Sequence, residues 1–223
     1  MADVDESMHR VAVLRTLVLD QRANGAQVEA TIYLGLTEQN LEDIRRQWRP
    51  EFRTRLYEAH QLGIGDVDED RRWRWGVKYE QRRSSELTPC FVLEVGSTTE
   101  GLLYLAVGSH TCQLTAQAGF PLVYVDLLAT APWNRPHPNG RIQRYAGVGR
   151  ALLAQAVLHS QALGFEGRIG LHSLPSAEAF YSKMFMTGPM EDAGEDLRYF
   201  ETTPANANDL LLAAGVEVAH DRA

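Results

Sequence analysis

The stretch Arg144-Tyr145-Ala146-Gly147-Val148-Gly149, running straight into Arg150-Ala151-Leu152-Leu153, decides how this chain is read. Its glycines open a segment with Val148, Leu152, Ala156 and Leu163 at helical spacing, and Gly164 closes it. Upstream lies an apolar run, residues 122–130, with strand character. A strand, a glycine-bearing loop and a helix N-terminus together make a place for a pyrophosphate. The glycines clear side chains away, and the unpaired N–H groups of the first helical turn carry partial positive charge. Arg stands at the first position and no Lys-Ser or Lys-Thr pair follows the last glycine, which argues against an ATP-binding P-loop. A dinucleotide site would want an acid at the end of the next strand, and residues 167–172 end in His172-Ser173 instead.

The segment resembles the coenzyme A loop of the GCN5-related N-acetyltransferases (GNAT), Arg/Gln-x-x-Gly-x-Gly/Ala. Leu128-Ala129-Thr130-Ala131-Pro132 is similar to that family's fourth strand. Ala177-Glu178-Ala179-Phe180-Tyr181-Ser182-Lys183 is similar to its final helix, which carries Ala-x-x-x-Tyr-x-Lys. These motifs fall between residues 122 and 186; the N-terminal part matches only in its order of elements. The resemblance implies an α/β fold of the α+β type. A mixed, mostly antiparallel central sheet would have its fourth and fifth strands splayed, with helices on both faces. Residues 26–203 are expected to form this domain, 1–25 an N-terminal extension, and 204–223 a C-terminal tail with a short helix.

The implied activity is acyl transfer: an acetyl group moves from acetyl-CoA to a primary amine by direct attack in a ternary complex. By resemblance the backbone of Arg144, Tyr145, Ala146, Gly147, Val148 and Gly149 holds the diphosphate, helped by Arg150. Leu128, Ala129 and Thr130 line the pantetheine arm, with the Leu128 N–H facing the acetyl oxygen as an oxyanion donor. Tyr181 takes the family's tyrosine position as general acid to the leaving thiolate. Asp126 is the candidate base, because strand alternation puts Tyr124, Asp126, Leu128 and Thr130 on one face. A carboxylate inside an apolar strand is unusual unless it is partnered. Glu94 and His172 are reserve bases.

The sequence departs from the family pattern in three places. A long proline-bearing loop, residues 132–143, precedes the phosphate segment, and it could shape acceptor choice. Leu174-Pro175 stands where an Asn is often found. Phe185-Met186 replaces a Gly-Phe after the tyrosine helix. These departures keep a second reading open, a catalytically silent CoA-binding sensor or interaction module. A third, a toxin acetylating aminoacyl-tRNA, is disfavoured by the acidic balance.

Composition sets the outer limits. At 223 residues and 44% hydrophobic content the chain can bury a full core. A net charge of −7 disfavours nonspecific nucleic-acid or anionic-membrane binding. No apolar run reaches the roughly 18 residues of a membrane span. The N-terminus lacks the basic-then-apolar order of a signal peptide, so a cytoplasmic location is expected. Two scattered cysteines, Cys90 and Cys112, read as free thiols, and no metal-ligand spacing is present. Against the global sign, Arg135, Arg141, Arg144 and Arg150 gather near the phosphate segment, where they would attract an anionic cofactor. The acceptor is a small-molecule or protein amine, and the resemblance leaves a homodimer open.

Other segments read as follows. Residues 11–18 suit a strand or a helix face, and 27–34 alternate as a strand. Thr37 caps a helix to Arg46, Pro50 starts another, and 90–95 with 101–107 make a hairpin. Trp73 and Trp75 suit core packing better than a lid. Residues 188–190 and 197–201 read as a closing strand pair.

Overall fold

A computed structural model describes residues 10–192 and 195–216. In chain order the strands are β1 (Val11–Asp20), β2 (Ala26–Leu34), β3 (Cys90–Val95), β4 (Thr98–Thr111), β5 (Pro121–Thr130), β6 (Tyr145–Ala146), β7 (Ile169–Ser173), β8 (Thr187–Met190) and β9 (Arg198–Glu201). The helices are α1 (Glu38–Asp43), α2 (Arg49–Gln61), α3 (Trp75–Arg82), α4 (Val148–Ala162), α5 (Glu178–Lys183) and α6 (Pro204–Ala213). All the strands join one sheet in the order β6-β1-β2-β3-β4-β5-β7-β9-β8. Among the described residues only β5 and β7 pair in parallel. The mixed, mostly antiparallel sheet expected from the motifs is therefore present, and helices cover both faces.

Two apolar cores sit on opposite faces. One packs Val123, Val125, Leu103 and Leu105 against Val148 and Leu152 of α4, with Leu210 and Leu211 of α6. The other packs Leu102, Tyr104, Leu127 and Ala129 against Trp48, Phe52 and Trp75. Trp75 is buried, edge-on to Trp73 at 5.7 Å and stacked on Tyr104 at 6.0 Å, so the tryptophan pair is packing.

Thr37 forms a full capping box with Asn40 at the start of α1. The chain then continues into α2 without the break that Pro50 suggested. A π-turn, Ile44–Trp48, joins them, and Pro50 follows it as the second residue of α2. The turn aims the Trp48 indole N–H at the Thr99 carbonyl, 3.0 Å away. Residues 11–20, ambiguous in sequence, pair with β2 from Val11 to Asp20 and hold β6 at their far end. At the other terminus α6 buries Ala207, Leu210 and Leu211. Burial pushes both cysteine thiols up to about 12, so neither is a thiolate near neutral pH.

Candidate active site

β5 and β7 pair only at Val123↔Ile169 and Tyr124↔Gly170. Beyond that point β7 stays paired with β9, from Gly170↔Glu201 to Ser173↔Arg198, while β5 stays with β4. Residues 125–130 of β5 thus have no β7 partner, and a gap opens inside the sheet. Two local features build the fork. At Gly170 an added Cβ would lie 2.3 Å from the Tyr199 hydroxyl, so only glycine lets Tyr199 pack beneath the last pair. At Asp126 the register slips: Tyr104 pairs Leu127 but Leu105 pairs Val125. Asp126 is the extra residue of a β-bulge, which bends a strand and increases its twist.

The bulge corrects the expected facing. With uninterrupted alternation Tyr124, Asp126, Leu128 and Thr130 would share a side. Instead Val123 and Val125 face α4, whereas Leu127 and Ala129 face the α2 and α3 side. Parity reverses at residue 126. Tyr124 and Asp126 therefore lie on the α3 face, and Leu128 and Thr130 lie toward α4. The Ala131 N–H donates to the Glu100 carbonyl of β4. Alternation back along the strand turns the Ala129 amide to β4 and the Leu128 and Thr130 amides to the gap.

At the open end of the gap stands the first turn of α4. Gly147 caps it at φ +99°, a conformation that favours glycine, and no side chain caps the amides behind it. The first intrahelical bond is Ala151 N–H to the Gly147 carbonyl, so the Val148, Gly149 and Arg150 amides have no helix partner. An added Cβ at Gly149 would meet Phe180 at 3.0 Å and Thr130 at 3.6 Å. That glycine lets the helix end close on the end of β5.

Not all of the segment 144–149 is available to a ligand. The Arg144 N–H donates to the Trp133 carbonyl at 2.8 Å. The Tyr145 N–H donates to Asn134 Oδ1 at 2.9 Å. Tyr145 and Ala146 form β6 against β1. The free amides are those from Gly149 and its neighbours in the first turn, one step later than the sequence suggested. Beneath them is a prop that sequence reading missed. Fully buried Glu100 accepts from Trp133 Nε1 at 2.6 Å and from Asn134 Nδ2 at 2.7 Å, and Asn134 in turn holds the Tyr145 amide. Its only sequence signal is an acid between the apolar pieces of the β3–β4 hairpin.

The arginines divide. Arg144 lies over the Tyr145 ring, 3.5 Å from Glu100, and Arg150 reaches the Ala213 carbonyl at 3.0 Å; both stay beside the helix end. Arg135 does not. It forks onto Asp70 at 2.6 and 2.7 Å and caps the Thr130 carbonyl. Arg141 pairs with Glu51 of α2 at 2.7 Å. The proline-bearing loop docks on the same helix, with the Pro136 carbonyl on Arg55 and His137 3.2 Å from Glu58.

Tyr181 is buried in the α4-side core, edge-on to Phe180 at 5.1 Å. Burial raises its pKa well above the usual phenol range, Asp70 adds to this, and Arg135 opposes it. Asp126 forms an ion pair with Arg82 of α3. Glu94 is engaged by Arg10 at 2.7 Å and Asn40 at 2.6 Å, in the β2–β3 region. His172, by contrast, sits at the fork: Nδ1 is 2.8 Å from the Tyr124 hydroxyl and Nε2 is 2.9 Å from Asp192. Two surface hollows of about 270 and 300 Å³ lie elsewhere, sharing Arg49 at the α1–α2 side.

No protein-family model matches the chain, and no curated protein does. Solved structures of similar outline exist. The PaiA N-acetyltransferase from Thermoplasma acidophilum, in complex with coenzyme A, is 14% identical over 77% of this chain and 98% of its own, with a TM-score of 0.49. A protein assigned to the GNAT acetyltransferases from Desulfovibrio desulfuricans is 13% identical over 78% of this chain and 99% of its own, at 0.46. A mutant of the AtaT toxin bound to the C-terminus of the antitoxin AtaR is 14% identical over 68% of this chain and 84% of its own, at 0.43. None of the three reaches a TM-score of 0.5, so the functional reading has to come from the chain's own geometry. The mixed, mostly antiparallel sheet, the forked parallel pair and the glycine-capped helix at its mouth are the architecture that the motif resemblance to the GCN5-related N-acetyltransferases implies.

Proposed function

We propose that the chain is an N-acetyltransferase of the GNAT type that uses acetyl-CoA. The observation that carries this reading is the forked β5–β7 pair with bare amides at its mouth. From Thr130 to Tyr124 the open edge of β5 runs about 20 Å at a rise of roughly 3.3 Å per residue. That edge suits an extended arm of a ligand whose diphosphate rests on the Val148, Gly149 and Arg150 amides. The helix dipole adds roughly 0.3–1 kcal/mol to such binding before hydrogen bonds are counted. Arg144 and Arg150 supply positive charge at the same end. The gap-facing amides of Leu128 and Thr130 pair with the arm, and Leu128, near the bulge, is placed to donate to a carbonyl oxygen that gains charge.

Bound there, acetyl-CoA supplies the activated acyl thioester. Tyr181 keeps its proton across the neutral range because burial disfavours the phenolate. Its role is a hydrogen bond to the departing sulfur, since full proton transfer from so weak an acid is uphill. Two readings of the base are compatible with a ternary complex: Asp126 once released from Arg82, or a group at the fork. Calorimetry with acetyl-CoA tests the core of this reading. Binding in the micromolar range is expected, and no heat at millimolar cofactor would overturn it. A thiol-release screen across amines then identifies the acceptor.

A further inference from the structure

At the closed end of the fork the side chains form a chain of hydrogen bonds that the sequence motifs do not contain. Gln113 Nε2 donates to Asp192 Oδ2 at 2.7 Å, and His172 Nε2 lies 2.9 Å from the same oxygen. His172 Nδ1 lies 2.8 Å from the Tyr124 hydroxyl. His110 of β4 stacks on Tyr124 with ring centroids 3.8 Å apart. The partners fix the tautomer. An ionised Asp192 can only accept, so His172 must carry its proton on Nε2 and present a bare Nδ1. Tyr124 must then donate to Nδ1, which leaves its oxygen lone pairs as the outer end of the chain.

Its place matters as much as its bonding. Tyr124 belongs to the last β5–β7 pair, immediately before the gap, and it points to the α3 face. The cofactor reading puts the diphosphate at the opposite, open end of the gap and the thioester near the bulge. Tyr124 is therefore at the acceptor side of the reacting carbonyl.

We propose that Tyr124, His172 and Asp192 form a proton relay that deprotonates the acceptor amine, a role that rests on the acetyltransferase reading above. The acceptor enters as its ammonium and passes one N–H proton to Tyr124 Oη while the Tyr124 hydroxyl proton passes to His172 Nδ1. The electron pair of the broken N–H bond becomes the lone pair that attacks the acyl carbon. The imidazolium is held by Asp192 until its extra proton returns to water. Tyr124 stays a neutral conduit, since burial pushes its phenol up to about 12. Asp192 is held below the usual carboxylate range by the Gln113 and His172 hydrogen bonds. The other charged or titratable groups around His172 are His110 from β4, Asp126 from β5 with its partner Arg82 from α3, Tyr199 and Glu201 from β9, and Glu195.

The experiment compares wild type with His172→Gln, Asp192→Asn and Tyr124→Phe in thiol release against the best amine of the screen, over a pH series. Acetyl-CoA affinity is measured in parallel by calorimetry. In wild type the rate rises with pH as the imidazole loses its proton. His172→Gln is expected to lower the rate about 100-fold and to abolish that limb. Asp192→Asn lowers the rate as well, because the ring loses the carboxylate that holds its Nε2 side. Tyr124→Phe loses rate without losing cofactor affinity. Nitrogen-15 spectra of the histidine rings give a readout that needs no turnover: His172 should be protonated at Nε2. An Nδ1-protonated ring, or a wild-type pH profile in His172→Gln, overturns the relay. Acetyl-CoA binding without turnover of any amine also overturns the relay and leaves the cofactor reading standing. No acetyl-CoA binding removes the cofactor reading itself.

Discussion

The prop beneath the phosphate loop gives a stability signal with a definite sign. Glu100 is fully buried, and Oε1 has no hydrogen bond, with the Arg144 guanidinium 3.5 Å away. Burial pushes its pKa up to about 7, and the Trp133 and Asn134 hydrogen bonds and Arg144 only partly oppose this. In the unfolded chain the carboxyl returns to its ordinary value of 4.5. Between those values the folded protein holds a proton that the unfolded chain has lost. Its contribution is fully present below the unfolded value and is lost as pH rises through about 7. The difference between 4.5 and about 7, at about 1.4 kcal/mol each, comes to roughly 3–4 kcal/mol. Glu100→Gln keeps an acceptor oxygen for Trp133 and Asn134 and abolishes the titration. Urea denaturation should find the two proteins within roughly 1 kcal/mol of each other near pH 5, with the variant more stable by about 3 kcal/mol near pH 8. Comparing the pair cancels the other carboxylates. If the stability difference does not change between those pH values, Arg144 neutralises Glu100 as well as a proton does, and the argument from burial is wrong.

Three further outcomes follow from the same geometry. Gly101→Ala would put a Cβ 2.8 Å from both Leu152 Cδ1 and Val148 Cγ1, lifting the first turns of α4 off the sheet; a loss of roughly 1–3 kcal/mol in thermal or urea unfolding is expected. Gly147→Ala forces an L-residue to φ +99° at the mouth of the gap; calorimetry should show weakened acetyl-CoA binding along with about 1 kcal/mol or more of lost stability. Tyr181→Phe keeps the ring packed on Phe180, so unfolding should move little, while turnover falls at least tenfold with cofactor affinity unchanged. Full turnover in that variant would remove the hydrogen-bond role from Tyr181.

How much of this was legible in the chain depends on whether the cause is local. The strand–glycine loop–helix sequence reads directly, because a period of two, a pair of glycines and a period near 3.6 are properties of adjacent residues. The cap at Thr37 reads for the same reason, and the helix at Tyr181 is placed by the motif resemblance. The facing of β5 did not. Alternation can be counted along a strand, but the bulge at Asp126 is set by how β4 pairs with it, and one extra residue transfers Leu128 and Thr130 to the other side. Arg135 looked like a phosphate ligand because it lies close to the loop in sequence. Asp68 and Asp70, which hold it, come from a distant acidic stretch that reads only as a loop. Asp126 was singled out as a carboxylate inside an apolar strand, and the partner that holds it, Arg82, is likewise far away in sequence. The fork residues Tyr124, His172 and Asp192 belong to separate segments with no shared spacing, so only the fold brings them together.

The gap is also a thermodynamic anomaly, and that is the deeper argument for a ligand. A strand in the middle of a nine-stranded sheet normally pairs on both edges, because an unpaired backbone amide or carbonyl that loses water costs about as much as a lost hydrogen bond. β5 leaves its β7-side edge unpaired from Val125 to Thr130 while its other edge remains zipped to β4. The sequence does not relieve this by adding residues to close the fork. It reinforces the opening with a bulge at Asp126, keeps a glycine at residue 170 against Tyr199 and Leu122, and caps one exposed carbonyl, that of Thr130, with Arg135. What is left is a short interior edge with its amides turned into the gap and a positive helix end at one limit. An extended chain with amide groups along its length and an anion at its head restores the missing pairing as an added strand would. Pantetheine with a diphosphate has that chemistry; a compact ligand without amides would leave most of the edge unpaired. Coenzyme A should therefore bind more tightly than an adenine nucleotide that carries the same diphosphate without the arm. Equal affinities by calorimetry would mean that the helix end alone binds the ligand and the fork contributes nothing.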